Sequence, residues 1–168
     1  MNGDDRLFWE LVVMCGNDQD HEVFLDVEVP GIPKPQPRSK ARGFRTKDGR
    51  VMAQVYNPKT SSDWKRNILH FVSEACSGGD LVSGAVVLMC AVYLPRPQAL
   101  MGAKSPDGAI AHTKRGDKDN FEKAIMDALK GVVWVDDAIV CGGGTWKFYC
   151  EKTGVPRARI VALKKRGG

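Results

Sequence analysis

Apolar and polar positions alternate most cleanly between His21 and Pro30, where Val23, Leu25, Val27 and Val29 interleave with Phe24, Asp26 and Glu28. A period of two predicts a strand with one buried face. Beyond Ser61 and Ser62, either of which can cap a helix, the period changes, and Trp64, Ile68, Phe71, Val72 and Ala75 recur at helical spacing up to about Cys76. Gly84 to Pro95 is apolar almost throughout, as suits a strand in the middle of a covered sheet. A second helical stripe, Phe121, Ile125, Ala128 and Leu129, lies between Gly116 and Gly131, and Val132 to Val135 then reads as a short strand. Ala138 to Cys141 and Trp146 to Cys150 read as two strands joined by a turn at Gly142, Gly143, Gly144 and Thr145, and Arg157 to Leu163 as the last strand. The apolar run Leu7 to Cys15 is either a docked extension or a short strand, with no function assigned to it.

The order of elements predicts an α/β (α+β) fold in which a mixed β-sheet carries two main helices. At 168 residues the chain has room for one domain, residues 21–168, behind an N-terminal extension of residues 1–20. With 27% charged and 43% hydrophobic residues it has the profile of a soluble globular protein. No apolar run approaches the roughly 18 residues of a membrane span, and Leu7 to Cys15 lacks a basic leader or small-residue cleavage site, so the expected location is the cytoplasm, with no membrane partner. The five cysteines, Cys15, Cys76, Cys90, Cys141 and Cys150, contain no CxxC pair and are expected to be reduced and mostly buried. The glycine triplet lies in no phosphate-loop or dinucleotide frame, and no helical pattern follows it.

Charge changes the picture next. The chain carries +5 overall, yet residues 31–66 hold ten basic side chains against Asp48 and Asp63, a local +8. Within this segment Pro33, Pro35, Pro37 and Pro58 oppose helix and central strand alike, so residues 31–60 are expected to form a long basic loop with a small hairpin around Asp48 and Gly49. An unbalanced cationic loop suits a polyanion, and Lys34, Arg38, Lys40, Arg42 and Arg45, with Lys114 and Arg115, are the candidate contacts to nucleic-acid phosphates.

Set against that surface are two acidic clusters, Asp117 with Asp119 and Asp136 with Asp137. Local structure explains the first in part: Asp119 is a plausible N-cap, Glu122 completes a capping-box pattern, and Lys123 stands four residues from both Asp119 and Asp127. The second cluster emerges at the end of an apolar element, where only one of two successive strand side chains can face the first cluster. Three converging carboxylates repel unless a cation sits among them, and an oxygen-only set suits Mg²⁺ or Mn²⁺. Such an ion beside a phosphate-binding surface can activate water and neutralise charge at a scissile phosphate, with Lys123 offsetting charge in the transition state.

The stretch GDKDNFEKAIMDALKGVVWVDDAIV resembles the RusA-type Holliday junction resolvases of bacteria and their phages in its Asp-x-Asp-Asn, Lys, Asp-Ala-Leu and Asp-Asp. VPGIPKPQPRSKAR with VYNPKT is a weaker match to that family's proline- and arginine-rich loop, and the likeness covers about His21 to Leu163. It implies a homodimer that hydrolyses phosphodiester bonds at four-way DNA junctions with Mg²⁺ and no organic cofactor. Carried over by position, the metal-binding aspartates fall on Asp117, Asp119 and Asp137, with Asp136 as the alternative to Asp137, and the catalytic lysine on Lys123. Two other readings stand beside it: a non-catalytic nucleic-acid binding module, and a metal nuclease for other branched or hybrid nucleic acids.

Overall fold

A computed structural model describes residues 4–17, 20–37, 40–56, 62–76 and 79–166. Among the described residues three α-helices, α1 (Arg6–Gly16), α2 (Ser62–Ala75) and α3 (Lys118–Leu129), accompany seven strands, β1 (His21–Pro30), β2 (Lys40–Arg45), β3 (Val51–Tyr56), β4 (Val86–Leu94), β5 (Ile110–Ala111), β6 (Val140–Tyr149) and β7 (Arg157–Lys165). Five strands form one mixed sheet in the order β1-β7-β4-β6-β5, while β2 and β3 pair only with each other. β4 and β6 run parallel, and the other neighbours are antiparallel.

β4 shows how sequence becomes core. It is buried on both faces, and its alternate residues serve two different layers. Val86, Leu88, Cys90 and Val92 pack under α2 and α3, whereas Met89, Ala91 and Tyr93 meet Phe8 from α1 on the opposite face. The predicted apolar stripes of α2 and α3 supply the first layer through Trp64, Ile68, Val72, Phe121, Ile125 and Leu129, while Ala75 is exposed. Burying each such side chain contributes about 1.5–3 kcal/mol, so these stripes fix where both helices sit.

α1 is the element the sequence pattern left open. It is a helix, not a strand, and its place on the second sheet face gives the fold three helices instead of two main ones. Polar contacts fasten its start: the Tyr93 hydroxyl donates to Asp5 Oδ2 at 2.9 Å, and the Ala111 amide donates to Asp4 Oδ2 at 2.7 Å.

Three further expectations need correction. Val132 to Val135 is not a strand: Val132 and Val133 donate backbone hydrogen bonds to the Leu129 carbonyl, closing α3 in a turn with Gly131 at φ +75°. Pairing survives only as an isolated bridge: Trp134 lies parallel to Val82, whose amide donates to the Val133 carbonyl at 3.0 Å and whose carbonyl accepts from the Val135 amide at 3.2 Å. Nor is Gly142 to Gly144 a turn: the glycines lie inside β6, opposite Val87, Leu88 and Met89, beside a register shift near Val86. Gly143 has φ +108°, and a Cβ there would stand 1.8 Å from the Leu88 carbonyl oxygen, so glycine is needed where β6 bulges against β4. The cysteines are all free, with Cys90 and Cys150 buried but Cys141 exposed and Cys15 and Cys76 intermediate, so "mostly buried" holds for only two. No helix among the described residues is long and apolar enough to cross a membrane.

Candidate active site

α3 carries two stripes a half-turn of the helix apart. Phe121, Ala124, Ile125, Ala128 and Leu129 face the core, while Asp119, Glu122, Lys123, Met126 and Asp127 repeat the same i, i+3, i+4, i+7, i+8 spacing towards a cleft of about 530 Å³. Lys118 joins that wall; Asp137 and the backbone of Gly143 and Gly144 in β6 complete the lining. The bulged glycine strand thus leaves part of the cleft bare of side chains, beside its acidic groups.

The two acidic clusters meet here through one member each. Asp119, in the first turn of α3, and Asp137, at the start of a 3-10 turn (Asp137–Ile139), both line the cleft. The fully buried Trp134 donates its indole Nε1–H to Asp137 Oδ1 at 2.9 Å, so the core orients this carboxylate. Asp136 turns elsewhere: it caps the 3-10 turn through the Ala138 amide and pairs with Lys130, whose contact holds the Asp136 carboxyl below the usual aspartate value. This separates the neighbours and leaves Asp137 in the cleft.

Asp117 is not among the residues lining the cleft. It is the exposed N-cap residue of α3, so the helix starts two residues earlier than a cap at Asp119 implies, because the backbone turns at Gly116 (φ +103°). Glu122 does not reach back to a cap: Thr145, buried in β6, donates its hydroxyl to Glu122 Oε2 at 2.9 Å across the cleft wall. Asp127 pairs with Lys65 of α2 at 3.0 Å instead of with Lys123, which remains exposed on the cleft. The α3 stripe was the signal that would have found Glu122 and Asp127; the parts played by Trp134 and Thr145 come from tertiary packing alone.

An oxygen-only donor set matches Mg²⁺, which typically takes one or two carboxylates and keeps several waters. Asp119 and Asp137 fit that pattern, whereas among the described residues no group of three or more His, Cys, Asp or Glu side chains is placed to enclose a metal ion.

Two of the cationic candidate segments are tied close to the start of α3. The Gln36 amide donates to the Asn120 carbonyl at 2.8 Å, tying the proline-rich segment that bears exposed Lys34 to the first turn of α3. Lys147 Nζ donates to the carbonyl oxygens of Gly116 at 2.6 Å and Lys114 at 3.3 Å, fixing the loop on which Lys114 and Arg115 are exposed. Arg42 and Arg45 are exposed on the β2–β3 ribbon, which realises the expected hairpin. Lys40 contributes backbone to β2, and Arg38 lies outside the described residues.

Among known proteins, this chain is similar to the "Uncharacterized protein YqaN" of Bacillus subtilis (strain 168), at 29% identity over 86 residues that cover 48% of this chain and 58% of that protein. The match thus spans little more than half of that relative's length. A family model described as "Endodeoxyribonuclease RusA" matches residues 30–160, an interval that runs from the last residue of β1 into β7 and contains every residue lining the cleft. The chain belongs to the RusA endodeoxyribonuclease family.

Proposed function

We propose that this protein is a structure-selective endodeoxyribonuclease that hydrolyses phosphodiester bonds at four-way DNA junctions, as a cytoplasmic homodimer supported by Mg²⁺ or, in its place, Mn²⁺. The observation that carries this reading is the meeting of Asp119, Lys123 and Asp137 in one cleft next to exposed cations. A hard divalent ion, when bound, supplies activation of water and neutralisation of phosphate charge. Asp119 and Asp137 would hold it, with the Trp134 N–H keeping the Asp137 carboxylate in one orientation. The Lys123 ammonium, exposed on the cleft, would donate to a non-bridging phosphoryl oxygen as negative charge builds there. Lys34, Arg42, Arg45, Lys114 and Arg115 serve the flanking phosphates. Two matched nicks across a two-fold junction call for two matched active sites, which a two-fold dimer supplies.

The test is a labelled four-way junction incubated with Mg²⁺ and, separately, with EDTA. Cutting is expected only with the ion. Asp119→Asn should cut slower by on the order of 10²–10³ while still binding the junction. Cutting indifferent to EDTA, or tight binding by the native protein with no cutting, defeats the nuclease reading, the second outcome favouring a binding module. Flaps, RNA hybrids and mismatched duplexes assayed in parallel decide whether the junction is the preferred substrate.

A further inference from the structure

The β2–β3 ribbon has a feature that phosphate binding leaves unexplained. Phe44 and Met52 are directly paired across its strands and so share one face, and they are 43% and 51% exposed. Val51, paired with Arg45 on the other face, is 73% exposed. The two strands of the ribbon hydrogen-bond to each other and to no strand of the main sheet. A two-stranded hairpin without a covered face is marginal in water, and apolar side chains kept exposed at its end mark a contact surface.

Charge decides what fits that surface. Residues 40–56 carry Lys40, Arg42, Arg45, Lys47 and Arg50 against Asp48 alone, an excess of four positive charges, and Arg42, Arg45, Lys47 and Arg50 are exposed on the same ribbon as the apolar groups. A protein partner that buried the apolar tip would have to desolvate or match these cations. DNA answers both at once, since phosphates take the cations while an unstacked base step takes the apolar side chains. Position agrees: the ribbon follows directly from the segment that Gln36 ties to Asn120, one residue from Asp119. A ribbon rooted there acts on DNA held close to the cleft.

We infer that the β2–β3 ribbon is a wedge, with Phe44 and Met52 inserted between bases at the branch of a DNA junction while Arg42 and Arg45 grip the adjoining phosphates. The inference rests on reading the protein as a DNA-cutting enzyme. Insertion unstacks a step, keeps the branch open and fixes how far from the branch point the cleft meets the backbone. It assigns the ribbon to choice of structure, separate from the chemistry of the cleft.

The experiment uses the full chain and four-way junctions with 2-aminopurine placed in turn at each position flanking the branch, in EDTA so that no strand is cut. The native protein should raise the fluorescence at one or two positions several-fold, as unstacking does. Phe44→Ala and Met52→Ala, both at exposed sites, should abolish most of that rise while weakening binding by roughly 5- to 150-fold, in line with the loss of one stacked base. With Mg²⁺ restored, both variants should cut the junction more slowly and over a wider range of positions. No rise with native protein, or an unchanged rise in both variants, overturns the wedge. Sedimentation in the absence of DNA checks the other occupant: if either substitution turns a dimer into a monomer, the face is a contact between copies and the wedge is wrong. Junction cutting by native protein is scored independently, so a silent fluorophore alongside Mg²⁺-dependent cutting sinks the wedge alone, whereas a bright one without cutting sinks the nuclease.

Discussion

Trp134 shows how a core residue can set the chemistry of a cleft. Its indole is fully buried, yet its one polar atom reaches the carboxylate of Asp137, three residues on. Trp134→Phe keeps an aromatic ring but removes the donor. Metal affinity, read from Mn²⁺ titration, and junction cutting should each fall by about 10–100-fold, the usual cost of losing a group that orients a ligand. The smaller ring should also lower stability by about 1–3 kcal/mol in thermal or denaturant unfolding; equal Mn²⁺ affinity in both proteins would reduce Trp134 to packing. His112 makes a different prediction. It is 9% exposed, its Nδ1 is buried without a partner, and burial together with nearby Lys147 holds the imidazole below its ordinary value of 6.5. The unfolded chain then binds the proton more readily, so the stability this neutral ring contributes is full above pH 6.5 and declines as pH drops through that value to the folded one. Between pH 8 and pH 5 the melting temperature of His112→Phe should fall less than that of the native protein; parallel curves would remove His112 from the acid sensitivity. At this scale the Asp-x-Asp and Asp-Asp signals were legible because residue type and spacing carry them. Which member of each pair enters the cleft was not, since that depends on where α3 starts and on the pull of Lys130 upon Asp136.

Among elements, periodicity worked wherever one face alone is buried. β1 falls on His21–Pro30 as its alternation predicts, and α2 and α3 follow their stripes. It failed where a segment had no contrast to read. α1 is apolar nearly all round, with Leu7 57% and Met14 62% exposed although Phe8 is fully buried, so its sequence does not say which side meets the sheet, or even that it is a helix. β6 failed for the opposite reason. Three glycines in a row suggest a turn, and only the approach of the β4 backbone explains why they sit inside a strand. That reading separates neighbours sharply. Gly143→Ala would place a methyl group 1.8 Å from the Leu88 oxygen at an unfavourable φ, and should cost about 4 kcal/mol or more, or prevent folding. Gly144→Ala meets nothing nearer than Trp146 at 3.9 Å and should fold with a melting temperature within a few degrees of native. Comparable soluble yield and melting temperature for the two variants would show that β6 does not press against β4 as described.

For the whole molecule, the arrangement resolves an apparent conflict of charge. A chain of net charge +5 keeps its acidic cleft on the solvent side of α3 and carries exposed cations on, among others, the segment bearing Lys34, the β2–β3 ribbon and the loop bearing Lys114 and Arg115. Cations placed on separate segments can meet phosphates at more than one point along a bound strand. If they do meet phosphates, each contact releases counterions and appears as a slope in the salt dependence of affinity. Replacing Lys34, Arg42 and Arg45 together by glutamine should therefore flatten the plot of log affinity against log salt by roughly 0.9 for each lost contact, nearly three units if all three engage duplex arms. Asp119→Asn removes one negative charge from the cleft and should leave that slope close to native even as cutting slows. The two variants thus separate holding from cutting in a single titration series. If the triple variant binds more weakly at every salt concentration with an unchanged slope, those side chains act through the shape of the ribbon and not through phosphate contact.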